Sequence, residues 1–273
     1  MGIHFSHIIS IVLLYTRFIS TTGFILKEQR IINKKLPDEY NGLKIVQFSD
    51  LHYGSSIHSK ELKKIVKMIN ETEPDIVVFT GDLIDTKYKL KNKERENIIK
   101  ELGSIDSSIG NYAVLGDEDS DEFMTIFNQS SFVILNNTFD LVYNDNNNPI
   151  LLSGVSYSKD PSVYYKAYDY YNDPNHNSNI YSITLIHQPD TIIDLKDRFH
   201  SDLYLAGHSH NGDIRVPYLG SFINKNGSKK YHNAYYDLDG TPLYISSGLG
   251  TNNKLGFRLF CRPSISLYRI SNK

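Results

Sequence analysis

Short apolar runs that end in residues able to bind divalent metals constrain this chain more than anything else in it. Leu43 to Phe48 is such a run and leads into Asp50-Leu51-His52, and Ile76 to Thr80 leads into Gly81-Asp82-Leu83-Ile84-Asp85. Tyr112 to Leu115 leads into Gly116-Asp117-Glu118-Asp119, while later runs lead into His187 and into Gly207-His208-Ser209-His210. Between the first two runs, Leu62, Ile65, Val66 and Ile69 recur at helical spacing over Lys60 to Asn70, and Pro74 stops the helix. Strand, amphipathic helix and strand make a βαβ unit, whose parallel strands must be covered on both faces. A second unit follows, with Ile98, Ile99, Leu102 and Ile105 on one helical face and a further helix around Phe123, Ile126 and Phe127. In open α/β sheets ligands sit outside the carboxyl ends of the strands, so loops distant in sequence are expected to converge there.

Beyond residue 131 the pattern changes to strands without intervening helices: Phe132 to Leu135, Phe139 to Tyr143 and Ile150 to Val155. They imply a second, more antiparallel sheet, continued by Tyr181 to Ile186, Leu203 to Ala206, Leu243 to Ile245 and a final region from Phe257 to Ile270. Lys159 to Asn179, rich in Tyr, has no clean period and reads as an irregular surface excursion that either packs or faces substrate. The stretch Gly248 to Gly256 reads as a loop.

Each polar motif alone is as easily a turn as a ligand, because Asp and Gly serve turns readily. Their joint placement at strand ends is what points to a site. Carboxylates and neutral imidazoles together suit Mn, Fe, Zn, Co or Ni, and two ions a few ångströms apart need about this many ligands. His4, His7, His58, His176, His200 and His232 lack such a context. The balance of 29 Lys and Arg against 31 Asp and Glu leaves no positive field for nucleic acid, which is therefore not an expected partner. With Cys261 as the sole cysteine, disulfides within the chain and thiolate metal clusters are excluded.

The order Asp-x-His, Gly-Asp-x-x-Asp, Gly-Asp-Glu-Asp, a lone His and Gly-His-x-His resembles the calcineurin-like metallophosphoesterases. The phrases LPDEYNGLKIVQFSDLHYG, PDIVVFTGDLID, LIHQPD, LAGHSHNGDIRVP and LYISSGLGTNNKLGFRLFCRP resemble a bacterial branch of that family with an N-terminal membrane or export segment. The resemblance implies a four-layer α/β/β/α sandwich with a two-metal site between its sheets. It implies Asp50, His52 and His210 as ligands of one divalent ion, His187 and His208 as ligands of the other, and Asp82 between them. Asp117 stands where the family has a metal-binding Asn, and Glu118 replaces its catalytic His. An ionised Glu repels a phosphate and donates no proton, so Glu118 is a doubtful catalytic acid. Asn211 is a weak substrate-binding candidate, and Asp85 is expected to orient ligands without binding metal.

The resemblance thus implies a hydrolase that cleaves a phosphodiester or pyrophosphate with a metal-activated water, its substrate extending to a nucleotide-linked lipid of the UDP-diacylglucosamine type. A metal-binding domain that recognises a phosphorylated or lipid ligand without turnover is the alternative. Residues 1–35 are expected to be an apolar, membrane-anchoring segment centred on residues 7–26, and 36–273 the phosphoesterase domain. Ordinary packing as a first strand or helix is the competing reading of that segment. Lys27, Arg30, Lys34 and Lys35 follow the apolar run, which favours a domain on the cytoplasmic side of a membrane. Oligomeric state leaves no mark in the sequence.

Overall fold

The computed structural model describes residues 16, 20–21, 23–144, 148–213, 215–216, 220–221, 225–251 and 257–273. Two six-stranded sheets pack face to face. The first has the order β1 (Ile25–Ile32), β14 (Ser264–Ser271), β2 (Leu43–Phe48), β3 (Ile76–Thr80), β4 (Gly110–Val114) and β5 (Phe132–Ile134). Only the β14–β2 pair in it is antiparallel. The second has the order β12 (Tyr235–Leu238), β13 (Thr241–Ile245), β9 (Leu203–Ala206), β8 (Ser182–Ile186), β7 (Ile150–Val155) and β6 (Thr138–Val142). A short pair, β10 (Arg215–Val216) and β11 (Gly220–Ser221), lies apart.

The alternation of side chains along the strands builds the layers. On β2 and β3, Val46, Phe48, Val77 and Phe79 face α1 (Ser59–Asn70), α2 (Asn92–Gly103) and α3 (Asp121–Asn128), with Leu62, Ile65, Ile98, Leu102, Phe123 and Phe127 packed against them. The opposite faces of those strands, with Leu43, Ile45, Ile76 and Val78, meet Ile150, Leu152, Ile183, Leu185, Leu203 and Leu205 of the second sheet. Gln47 lies in this apolar interlayer fully satisfied: its amide donates to Thr80 Oγ1 at 2.9 Å and to the Ala206 carbonyl at 2.8 Å, and its oxygen accepts from the Tyr268 hydroxyl at 2.7 Å. It therefore ties the two sheets together next to the strand ends that carry the site.

The outer face of the second sheet is covered by the one-turn helix α4 (Ile192–Leu195) and by a 3-10 segment, Pro161–Asn172, through Tyr164, Ala167 and Tyr168. The four-layer α/β sandwich expected from sequence is thus present, with a thin fourth layer. The Tyr-rich stretch lacked an α period because it winds as 3-10 turns, and its rings are used in packing.

Three expectations need correction. The second sheet is antiparallel only at its two edges, β6 and β12, with a parallel interior, because buried strands joined by long crossovers pair in parallel. The run at Phe132 belongs to the first sheet, where α3 supplies the crossover from β4 to β5. The last strand begins at Ser264 and leaves Phe257–Pro263 outside it.

The membrane-anchor expectation also fails, and with it the membrane-associated localisation on the cytoplasmic side. No described helix is long and apolar enough to cross a membrane. Residues 25 and 26, the end of the expected 7–26 anchor, begin β1, which pairs in parallel with β14 from Ile25↔Ser264 to Ile32↔Ser271. Thr16, Ser20 and Thr21 are buried, and the Thr16 carbonyl accepts from the Arg258 backbone at 3.2 Å. Residues 7–15, 17–19 and 22 lie outside the described residues.

The aromatic packing over β3 gives a stability test. The Phe79 ring lies 4.9 Å from Phe48 and 5.2 Å from Phe127, with no solvent exposure. Phe79→Ala is expected to lower unfolding free energy by about 3–5 kcal/mol in urea titrations followed by circular dichroism.

Candidate metal centre

The ligand-type residues stand just past the ends of β2, β3, β4, β8 and β9. At most of them the chain turns sharply: Asp50, His52, Asp82, His208 and His210 have φ of 49°, 40°, 62°, 66° and 51°. Left-handed backbone is costly for residues with a Cβ and is least unfavourable for Asn, Asp and His, so these strand ends hold strain that the surrounding packing must enforce. Gly81, at φ +90°, permits the closest approach. A Cβ there would collide with the His187 ring and lie 2.8 Å from Gly116 Cα.

The loops bring every metal candidate from the sequence into one place. Asp82, Asp117, His187 and His208 present ligand atoms within 4.8 Å of one another, and so do Asp50, His52 and His210. Asp82 touches both groups: its Oδ2 lies 3.4 Å from His187 Nε2 and 3.7 Å from His52 Nε2. Asp117 Oδ1 is 2.9 Å from His187 Nε2 and 3.0 Å from His208 Nδ1, so the substituted Asp takes part in the second group. His52 Nε2 and His210 Nε2 face each other at 3.2 Å, and His210 Nε2 is 3.3 Å from Asp50 Oδ1.

Surrounding groups set the imidazole tautomers. His187 Nδ1 donates to the Thr80 carbonyl at 2.7 Å, His208 Nε2 to the Asn226 carbonyl at 2.5 Å, and His210 Nδ1 to Asp213 Oδ1 at 3.0 Å. In each ring the other nitrogen points into the cluster and is the one left to bind a metal once deprotonated. Asp50 is held by the Ser49 hydroxyl and by the His208 backbone N–H, which lies 3.0 Å from Oδ1.

The electrostatics call for positive charge. Burial alone would raise the Asp50 carboxyl, yet the imidazoles of His210, His187 and His52 hold it well below the usual carboxylate range. Burial opposes ionisation at Asp117 too, and His187 and His208 override it. Burial would lower His52 and His187, but the neighbouring carboxylates raise both. Without cations, this cluster must borrow protons on its imidazoles to neutralise its carboxylates; divalent ions would replace them. His52 Nδ1 faces the Glu118 carboxylate at 3.5 Å, and His187 Nε2 faces those of Asp117 and Asp82 at 2.9 and 3.4 Å, in agreement with that demand. The donor set therefore fits hard-to-borderline divalent metals.

Other expected residues take different places. Glu118 Oε2 lies 3.5 Å from His52 Nδ1, so its carboxylate faces a ligand ring. The Asn211 side-chain oxygen accepts from Arg215 Nη1 at 2.7 Å, which ties that residue to its own loop. Asp85 Oδ1 accepts from the Lys87 backbone N–H at 2.8 Å in a local turn.

Sequence reasoning missed three supporting residues. Asp119 accepts from the backbone N–H groups of Asp82, Leu83 and Gly116 at 2.9, 2.8 and 2.8 Å, joining two ligand loops. Its own carboxyl is pushed up to about 6 by burial and the Asp82 charge. Asp213 orients His210, and burial of its carboxyl is outweighed by His210, Lys225 and Arg258, which hold it low. Arg258, fully buried, donates from Nη1 to the Ser247 carbonyl at 2.7 Å and from Nη2 to the Gly250 carbonyl at 2.5 Å. Its Nη2 also lies 3.9 Å from Asp213 Oδ1. Each of the three stands within a motif that carries the family resemblance, which was the available signal.

A two-sheet α/β sandwich with an Asp/His cluster at its strand ends is the framework of a metal-dependent hydrolase. The chain belongs to the calcineurin-like phosphoesterase family, whose signature matches residues 43–212. It is a hydrolase of phosphoester bonds in that sense. It is 26% identical to the uncharacterized metallophosphoesterase YkuE of Bacillus subtilis, over 94% of this chain and 89% of that protein. It is 30% identical to the uncharacterized metallophosphoesterase Cj0846 of Campylobacter jejuni over 90% of this chain, although it spans only 64% of that longer protein. A third relative, the UDP-2,3-diacylglucosamine pyrophosphatase LpxG of Chlamydia muridarum, is 28% identical over 86% of each chain.

The support of His210 by Asp213 can be tested directly. Asp213→Asn is expected to weaken metal binding about 10–100-fold, measured by competition with a chromogenic chelator, because the imidazole loses its charged partner. An unchanged affinity would remove Asp213 from the metal centre.

Proposed function

We propose that this chain is a dinuclear-metal phosphoesterase acting on phosphodiester or pyrophosphate bonds. The observation that carries the reading is the position of Asp82, whose one carboxylate oxygen faces His187 of one ligand group and His52 of the other. In this reading Asp50, His52 and His210 hold one ion, Asp117, His187 and His208 hold the other, and Asp82 serves both. Mn, Fe, Zn, Co and Ni all suit such a set. When bound, two such ions supply Lewis acidity toward phosphoryl oxygens and lower the pKa of water. The chain's own part is to orient the imidazoles through Thr80, Asn226 and Asp213, and to keep the cluster buried where charge acts strongly.

Glu118 shapes the substrate range. Its carboxylate brings negative charge to the cluster and supplies no cationic donor for the leaving oxygen, so esters with acidic leaving groups are favoured. Similarity to relatives named UDP-2,3-diacylglucosamine pyrophosphatase LpxG, at 28% identity, supports a nucleotide-linked lipid pyrophosphate as one substrate class.

Hydrolysis of bis(p-nitrophenyl) phosphate and p-nitrophenyl phosphate by Mn-loaded protein, with metal quantified per chain, tests the proposal. We expect about two ions per chain, turnover that Asp82→Asn abolishes, and rates at least about 100-fold lower on alkyl phosphate esters. Two ions bound without turnover would instead make the chain a phosphate-recognising metal protein, as the Glu118 substitution permits. No bound metal would overturn both.

A further inference from the structure

Next to the metal-ligand cluster lies a second cavity of about 490 Å³, within the range of small-molecule sites. Glu118 and Asp119 form its boundary toward the cluster, and the turn Ile84 to Leu90, Arg95 of α2 and Ser120, Glu122 and Phe123 around the start of α3 form the rest. Glu118 thus borders both spaces, since its Oε2 lies 3.5 Å from His52 Nδ1. A phosphate at the cluster has this cavity as its neighbour.

The lining is chemically specific. Tyr88 is a fixed wall: its hydroxyl donates to Glu94 at 2.6 Å, and its ring stands edge-on to Tyr53 and His58 at 6.0 and 6.2 Å. Tyr88, Ile84 and Leu90 offer apolar surface for the face of a ring. The charged groups are mainly acceptors. Asp85, Glu118, Asp119 and Glu122 are carboxylates against the cations Lys89 and Arg95; Arg95 and Glu122 neutralise each other through Nε at 2.7 Å, which leaves Asp85 and Glu118 against Lys89 on the open lining, with Asp119 at the cluster side. Carboxylates accept from hydroxyl and amide donors and repel phosphates.

We propose that this cavity is a substrate subsite for an uncharged, hydroxyl-bearing ring attached to the scissile phosphate, a sugar or nucleoside, and that it discriminates against a second phosphate on that ring. The proposal rests on the phosphoesterase reading of the adjoining cluster. Binding of the ring places its ester oxygen beside Glu118 and the ligand groups, and the acidic lining makes a further phosphate there unfavourable.

Thr86, an exposed residue on the cavity lining, offers a way to fill the space. The test compares kcat/KM for thymidine 5′-(p-nitrophenyl phosphate) with that for methyl p-nitrophenyl phosphate, in the full chain and in Thr86→Trp. The native chain is expected to prefer the nucleoside ester by about tenfold or more, and the variant to lose that preference. A 3′-phosphate on the thymidine should also abolish it. Equal use of both esters by the native chain, a preference untouched in Thr86→Trp, or a preference strengthened by the 3′-phosphate would each overturn the proposal. Should neither ester be turned over, the phosphoesterase reading fails separately. Saturation-transfer NMR with thymidine then decides the cavity: a signal lost in Thr86→Trp supports the subsite, and no signal in the native chain overturns it.

Discussion

The structure is organised around buried negative charge that needs cations. Asp50 and Asp82 are almost wholly withdrawn from solvent, and Asp117 stands against the same group of imidazoles. Carboxylates so placed are expensive unless countercharge and hydrogen bonds are built around them. Here that compensation comes from loops of both sheets, so neither sheet contains a complete site. The cluster is complete only where the two sheets are packed together, and the Gln47 bridge between β2, β3, β9 and β14 holds that packing from within the core.

The same demand explains the strained backbone. Five ligand-type residues adopt left-handed conformations at strand ends, where an ordinary extended exit would point their side chains past one another. Tight turns bring the side chains back over the carboxyl edges of the sheets. Such turns persist only if surrounding contacts over-determine them. Asp119, Asp213 and Arg258 supply those contacts: one fixes backbone N–H groups, one fixes an imidazole, and one fixes carbonyls of the loop after β13. Arg258 has a further effect, since its buried guanidinium balances Asp213 and lies 3.3 Å from His210 Nδ1, leaving the Nε2 that faces the cluster untouched. The Cys261 thiol, raised by burial, donates to the His210 carbonyl at 3.0 Å and completes the packing beneath this loop.

Asp117 and Glu118, which stand where the resemblance implies Asn and His, leave the cluster gathered. Asp117 keeps the reach of the residue it replaces and adds a charge, which the imidazoles of His187 and His208 absorb. Glu118 sits between the cluster and the neighbouring cavity, so one carboxylate contributes both to the electrostatics of the cluster and to the character of the adjoining surface. The acidic cavity wall and the lack of a cationic acid are physically connected, because the same carboxylate contributes to both.

Much of the sandwich and the identity of the ligand-type residues were legible in the sequence, because strand and helix periods and the chemistry of Asp and His are local properties. The β2–α1–β3 unit and the gathering of Asp50, His52, Asp82, Asp117, His187, His208 and His210 follow from such signals. Tertiary structure decided the rest. The apolar segment before residue 36 supplied an edge strand because β14 offered an open edge, a partner about 240 residues away that no window of sequence reveals. The parallel interior of the second sheet depended on which strands became neighbours. Asp119, Asp213 and Arg258 acquired their roles only through contacts across loops, while Asn211 and Asp85 hydrogen-bond within their own loops. Residue type determines what a side chain can do; the packed neighbours determine which of those capacities remains available.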